Sequence, residues 1–309
     1  MRRKGKAVIW IEYLIARAIF GALGSLPRRA AVGLGIRIGR LGFLVLPHLR
    51  KVALKNLDIA FPEMEDAAKT AIATGTFENL GRVLGEASKY MSVSRESLEE
   101  MVDFRLGDEL REVYENTGPG GRGVLITTGH MGNWELLVLA FAAVYKPMSY
   151  LARPLDNPKI EDFTYRLRTR FGNQPLNKTN SARTAISILK DGGILGALVD
   201  VNAHPKEGVF VPFFGLESCT TSGAATIALR SNALILPAFC VWDRDAERFR
   251  FVHGPVMEPI RTGDRKADIV ATTAAFTAEI EKIIRRYPDQ WMWIHKRWKT
   301  RPPGEPPIY

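Results

Sequence analysis

From residue 122 onward, short β-branched runs alternate with helix-length ones, and this alternation constrains the fold more than any other feature of the chain. Residues 122–128 (RGVLITT), 147–152, 194–199, 233–242 and 248–253 read as strands. Between and after them, 132–145, 159–171, 182–190, 221–230 and 266–286 read as helices. Strands separated by helical crossovers pair in parallel and must be covered on both faces. The expectation is an α/β fold with a mainly parallel central sheet flanked by helices. Its ligand crevice should lie beyond the carboxyl ends of the strands.

The amino-terminal third has a different character. Basic residues Arg2, Arg3, Lys4 and Lys6 precede an apolar run, 7–26, interrupted by Glu12 and Arg17. Twenty helical residues span about 30 Å, enough for a bilayer core, but each charge at mid-membrane costs about 2.5 to 3.5 kcal/mol. A helix lying in the interface, with Trp10, Tyr13, Leu14 and Phe20 at lipid, is therefore preferred over a clean span. A signal peptide and the buried amphipathic helix of a soluble domain are the other readings of this run. A second apolar run, 30–46, carries Arg37 and Arg40 and stops at Pro47, with Lys51 and Lys55 beyond. Two consecutive basic-edged apolar segments predict an N-terminal membrane-anchoring helical segment, 1–47, ahead of an α/β domain, 48–309. Helices are expected at 63–86 and 95–102.

Composition enters where partners are concerned. The 309 residues are 46% hydrophobic and 25% charged, which excludes a disordered or fibrous chain. Lys and Arg number 43 against 33 Asp and Glu, a net charge of +10, so the surface should attract something anionic. The basic residues are patterned: they flank the apolar N-terminal runs, cluster at 166–170, and interleave with Trp291, Trp293 and Trp298 as Lys296, Arg297, Lys299 and Arg301. Beside an N-terminal anchor, that last segment reads as an aromatic and basic belt at an anionic membrane surface in preference to a nucleic-acid platform. Cys219 and Cys240, without C-x-x-C spacing, support neither a disulfide framework nor a zinc site, and no metal is expected.

Gly118, Gly120 and Gly123 match G-x-G-x-x-G, but the match precedes a strand instead of following one, so a dinucleotide site is not implied. The informative stretch is TTGHMGNWE, 127–135. His130 falls just past a strand's carboxyl end and Glu135 in the first turns of the next helix. A His with a nearby carboxylate is the minimum needed to deprotonate a hydroxyl. Gly132 and Asn133, at the helix start, could present amides to an anion. No G-x-S-x-G elbow or H-E-x-x-H motif is present, so His130 would activate the substrate's own hydroxyl. Arg153, at the end of a strand, and Arg170, with Arg166 and Arg168 close by, are candidates to meet an oxyanion or a phosphate. Asp200, at another strand end, is expected to hold one of these arginines or a sugar hydroxyl. Thr220 and Thr221 read as helix caps, and Phe210, Phe213 and Phe214 as the wall of an acyl groove or as core.

Together, GHMGNWE, Arg153-Pro154 in YLARPLDNP, Asp200 in LGALVD, EGVFVPFFG, ILPAF and QWMWIHKRWKTRPPGEP resemble the late acyltransferases of bacterial lipid A biosynthesis, of lauroyl or myristoyl type. These belong to the wider lysophospholipid acyltransferase superfamily. The resemblance runs from the N-terminal segment to the tail. It implies transfer of a fatty acyl chain from acyl carrier protein, or acyl-CoA, to a hydroxyl of a lipid A precursor at the cytoplasmic face of the inner membrane. No cofactor beyond that co-substrate is implied, and no nucleic acid. His130 would be the general base and Glu135 the residue that orients it. Glu at 135, where the glycerophospholipid branch usually has Asp, favours the lipid A branch. The alternatives are a lysophospholipid or other glycolipid acceptor and, outside enzymes, a lipid-binding membrane scaffold.

Overall fold

The computed structural model describes residues 5–177 and 181–309; the basic residues Arg2, Arg3 and Lys4 lie outside them. In chain order the elements are α1 (Lys6–Ser25), α2 (Arg28–Val45), α3 (Pro47–Ala60), α4 (Asp66–Ala87), α5 (Arg95–Met101), β1 (Val102–Asp103) and α6 (Asp108–Glu115). The αβ core follows with β2 (Val124–Thr128), α7 (Trp134–Val144), β3 (Ser149–Ala152), α8 (Pro158–Arg168), β4 (Gln174–Asn177), α9 (Ala182–Lys190) and β5 (Ile194–Leu198). A hairpin, β6 (Gly208–Phe213) and β7 (Leu216–Thr221), leads into α10 (Gly223–Ser231), β8 (Leu234–Asp243), β9 (Arg248–His253) and α11 (Arg265–Arg286).

Seven strands form one sheet in the order β1-β9-β8-β2-β5-β3-β4. The five from β8 to β4 run parallel, the mainly parallel sheet expected; β9 lies antiparallel to β8 and carries the two-residue β1 at the sheet's edge. Every residue of β2 is buried. Its side chains divide by the period of two, Leu125 entering one core and Val124 and Ile126 the other, so the sheet separates two apolar layers. The EGVFVPFFG run makes the β6–β7 hairpin, turned by Phe214 and Gly215 with φ of 52° and 75°, the positive pair a two-residue turn needs. Phe213 and Phe214 are core residues.

Helix α2 lies along α4 at backbone contact. Gly35 and Gly39 face Gly81 and Phe77: a Cβ on Gly81 would stand 2.1 Å from the Gly35 carbonyl oxygen, and one on Gly39 2.1 Å from that of Phe77. Two G-x-x-x-G spacings, Gly35/Gly39 on α2 and Gly81/Gly85 on α4, thus join α2 to a helix of the α/β body. By contrast α1 buries only Leu23 fully and is long and apolar enough to cross a bilayer by length and composition. The two charges within its apolar run, Glu12 and Arg17, are turned toward α8. Asn157 donates to Glu12 Oε2 (3.0 Å) and to the Ile9 carbonyl (2.9 Å), and the Arg17 guanidinium lies over the Phe163 ring. The opposite stripe, Val8, Ile11, Ile15 and Ile19, is exposed.

The tryptophans read as a membrane belt are core instead. Trp291, Trp293 and Trp298 are completely buried. Arg297 is buried with them, donating to Thr220 Oγ1 (2.6 Å) and the Cys219 carbonyl (3.1 Å). Guanidinium burial on this scale requires such acceptors. Thr220 therefore serves Arg297 from within β7 and caps no helix.

Candidate active site

The parallel register brings together residues far apart in sequence. β2 and β5 pair with Thr128 opposite Leu198, so two residues further on His130 stands beside Asp200. Asp200 Oδ1 is 3.0 Å from His130 Nδ1, and Oδ2 accepts the His130 backbone N–H at 2.7 Å. The Trp291 indole N–H donates to the same Oδ2 at 2.9 Å. Gly129 is required here, since a Cβ would approach the Asp200 carboxyl carbon to 2.7 Å. The Asp200 side chain is fully buried and that of His130 is 23% exposed.

These contacts set the charge states. Burial alone would push the Asp200 carboxyl up and the His130 imidazole down; their mutual attraction and hydrogen bonds outweigh it, lowering Asp200 and raising His130, with Glu135 adding to the latter. An ionised Asp200 only accepts, so Nδ1 carries the proton and Nε2 is the basic nitrogen.

Glu135, expected to orient His130, makes no hydrogen bond to its ring among the described residues; Asp200 does. Its carboxylate is engaged by the Arg168 fork, Nε to Oε2 at 2.8 Å and the second guanidinium nitrogen to Oε1 at 2.5 Å. The reason is helical geometry: at the second position of α7, Glu135 points across to α8, whereas Asp200 leaves the neighbouring strand level with His130. Burial would lower the Arg168 pKa, but the fork to Glu135 raises it. Among the described residues the Asp200 carboxylate bonds His130 and Trp291 and no arginine.

Two further expectations fail for want of free groups. The Gly132 amide donates to the Gln290 carbonyl (3.0 Å) and the Asn133 amide to that of Cys240 (2.7 Å), so neither faces an anion. Gly132 adopts φ 58°, and its α-carbon abuts Cys240, where a Cβ would meet the carbonyl oxygen at 2.0 Å. The Asn133 side chain caps α7 by accepting from the Leu136 amide and donates to the Tyr90 hydroxyl. Arg170 is likewise structural, its guanidinium bonded to the Tyr90 carbonyl away from the crevice. Arg153 does reach the crevice rim, two-thirds exposed and paired with Asp156 at 2.6 Å.

Beneath His130 a cavity of about 290 Å³ opens between the sheet and helices α7 and α8. Its lining includes the small Gly196 and Ala152 of the sheet and Val138 of α7. His130 lies at this cavity with the Glu135–Arg168 pair, against an otherwise mostly apolar lining. Such a slot accepts a hydrocarbon chain and presents its polar end to an imidazole. Nothing in the sequence marks Trp291 as a partner of Asp200 instead of a belt residue, and the i+2 spacing of Arg166, Arg168 and Arg170 does not tell Arg168 from Arg170.

Comparison with known proteins identifies the family. The family model of the bacterial lipid A biosynthesis acyltransferases matches residues 3–300. The lipid A biosynthesis lauroyltransferase of Escherichia coli is 27% identical over 97% of this chain and 95% of its own. The palmitoleoyltransferase of the same organism is 29% identical over 92% and 90%, and the myristoyltransferase 23% over 87% and 81%. A solved 1-acyl-sn-glycerophosphate acyltransferase from Thermotoga maritima aligns with 86% of this chain and 99% of its own at 13% identity, with a TM-score of 0.39, too loose a superposition to bear on function. On the family match over nearly its whole length, the chain belongs to the bacterial lipid A biosynthesis acyltransferases and is an acyltransferase.

Proposed function

We propose that the protein transfers a fatty acyl chain from an acyl thioester, carried by acyl carrier protein or coenzyme A, to a hydroxyl of a lipid A precursor. The observation that carries this reading is the His130–Asp200 pair set at the mouth of an apolar cavity. His130 Nε2 takes the acceptor hydroxyl proton while Asp200 stabilises the imidazolium. The oxygen attacks the thioester carbonyl, the C–S bond breaks, and the imidazolium returns the proton to the departing thiolate. Relatives named for lauroyl, palmitoleoyl and myristoyl transfer support a fatty thioester donor.

The reaction is assigned to a membrane surface, the cytoplasmic face of the inner membrane. The exposed apolar stripe of α1 and the exposed Ile38, Leu41, Leu44 and Val45 of α2 would enter lipid, with Arg37, Lys51 and Lys55 at anionic headgroups. Because Glu12 and Arg17 are engaged on α8, α1 can embed its outer face without burying them. That arrangement favours a half-embedded helix, and it sets α8, which bears Arg168, next to the bilayer.

The test is a purified full-length protein assayed with a panel of acyl-carrier thioesters against lipid A precursors and lysophospholipids in mixed micelles. Transfer to the lipid A precursor, abolished in His130→Ala, is expected. Transfer to lysophospholipid alone would overturn the acceptor, and no thioester consumption with any lipid hydroxyl would favour a non-catalytic lipid-binding protein.

A further inference from the structure

We propose that Trp291 is a positioning residue of this reaction, its indole N–H fixing the Asp200 carboxylate that holds His130. The inference rests on the acyl-transfer reading above and adds a residue to it.

The two oxygens of Asp200 are loaded unequally. Among the described residues Oδ1 carries only the imidazole Nδ1, while Oδ2 carries both the His130 backbone N–H and the Trp291 indole N–H. Two donors on one oxygen lock the carboxylate plane and leave the other oxygen aimed at the ring. Trp291 and the Asp200 side chain are both completely buried, so no water competes for these bonds.

Trp291 itself has little freedom. Its ring meets Trp293 edge-on at 4.5 Å and His295 at 4.9 Å. Its backbone bridges Met131, its carbonyl accepts from Thr76 Oγ1 (3.1 Å), and the next amide, of Met292, donates to the His130 carbonyl at 2.9 Å. His295 Nε2 lies 3.2 Å from the Asp200 carbonyl oxygen. The C-terminal segment therefore grips the His130–Asp200 pair from the side opposite the cavity. The charged and titratable groups around the pair are Glu135 and Arg168 from α7 and α8, and His295 and Arg297 from this segment.

Removing the indole N–H has two effects. The carboxylate can rotate away from its productive orientation, and its negative charge, no longer shared with the indole, attracts the imidazolium more strongly. The experiment compares Trp291→Phe with Trp293→Phe, whose indole donates to the Pro288 carbonyl and makes no bond to Asp200. Both should lower Tm. Only Trp291→Phe should lower kcat, by about 10- to 100-fold with little change in KM, and move the acid limb of kcat/KM upward by about half a pH unit. If the phenyl variant folds poorly, β-(3-benzothienyl)alanine at 291 keeps the bicyclic shape and replaces only N–H by sulfur. NMR titration of His130 in the unliganded protein, assigned with His130→Gln, reads the same coupling without turnover. An unmoved His130 titration and acid limb would overturn the proposal. A shifted titration in a protein that transfers no acyl group would overturn the assigned reaction and leave the Trp291–Asp200–His130 coupling standing.

Discussion

His130 and Asp200 are neighbours across two parallel strands, with Nδ1 3.0 Å from Oδ1 and the His130 backbone N–H on the other carboxylate oxygen. The imidazole of His130, the proposed base, is thus bonded to a residue 70 positions away in sequence, while Glu135 pairs with Arg168.

Asp200→Asn should therefore be far more damaging than Glu135→Gln. The amide preserves shape but removes the charge that supports the imidazolium, and a loss of about 10³- to 10⁴-fold in kcat is expected. Glu135→Gln should cost about 10-fold or less, by weakening the field at His130 and loosening Arg168. Steady-state rates of the two variants check this ordering, and equal losses would return the orienting role to Glu135.

The pH dependence follows from the raised His130 pKa. With the neutral imidazole as the proposed base, the acid limb of kcat/KM should lie above the ordinary histidine value of 6.5. The same shift makes protonated His130 stabilising: that contribution is complete below the unfolded value and is lost as pH rises through the folded one. Rate profiles together with urea midpoints of the wild type and His130→Gln across this window measure both effects.

Arg168 and Arg170 lie two residues apart but do different work. Arg168→Lys should keep the charge and lose the fork, raising KM for the acceptor several-fold, while Arg168→Ala leaves Glu135 unpaired and costs about 1 to 2 kcal/mol of stability, discounted for partial exposure. Arg170→Lys should leave KM unchanged. A double-mutant cycle on Glu135 and Arg168 reads the coupling directly.

Gly196 limits the cavity. A Cβ there would sit 3.3 Å from that of Tyr150, so Gly196→Ala narrows the slot without striking backbone. The expected outcome is a shift of donor preference toward shorter acyl chains in a competition assay with mixed thioesters. Unchanged selectivity would place the acyl chain elsewhere.

Gly81→Leu should unfold the α2–α4 pair. Its side chain would have to occupy the Gly35 carbonyl position, and a cost of more than about 3 kcal/mol is expected. Thermal denaturation tests it, with Gly33→Leu, at an open position on α2, as the control.

Much of this molecule is legible in sequence because its signals are local. The alternation of β-branched and helical runs determined the α/β class. Chain order alone placed His130 just past a strand's carboxyl end, since strand period and helix start are properties of adjacent residues. What sequence could not supply was register and depth. That β5 pairs with β2 in the alignment setting Asp200 beside His130, that Gly132 and Asn133 spend their amides on Gln290 and Cys240, and that Trp291 turns inward are outcomes of packing between distant segments. An aromatic and basic stretch reads the same whether it faces lipid or fills a core. Only the tertiary structure, by giving Arg297 its buried acceptors and the Trp291 indole its carboxylate, decided between them.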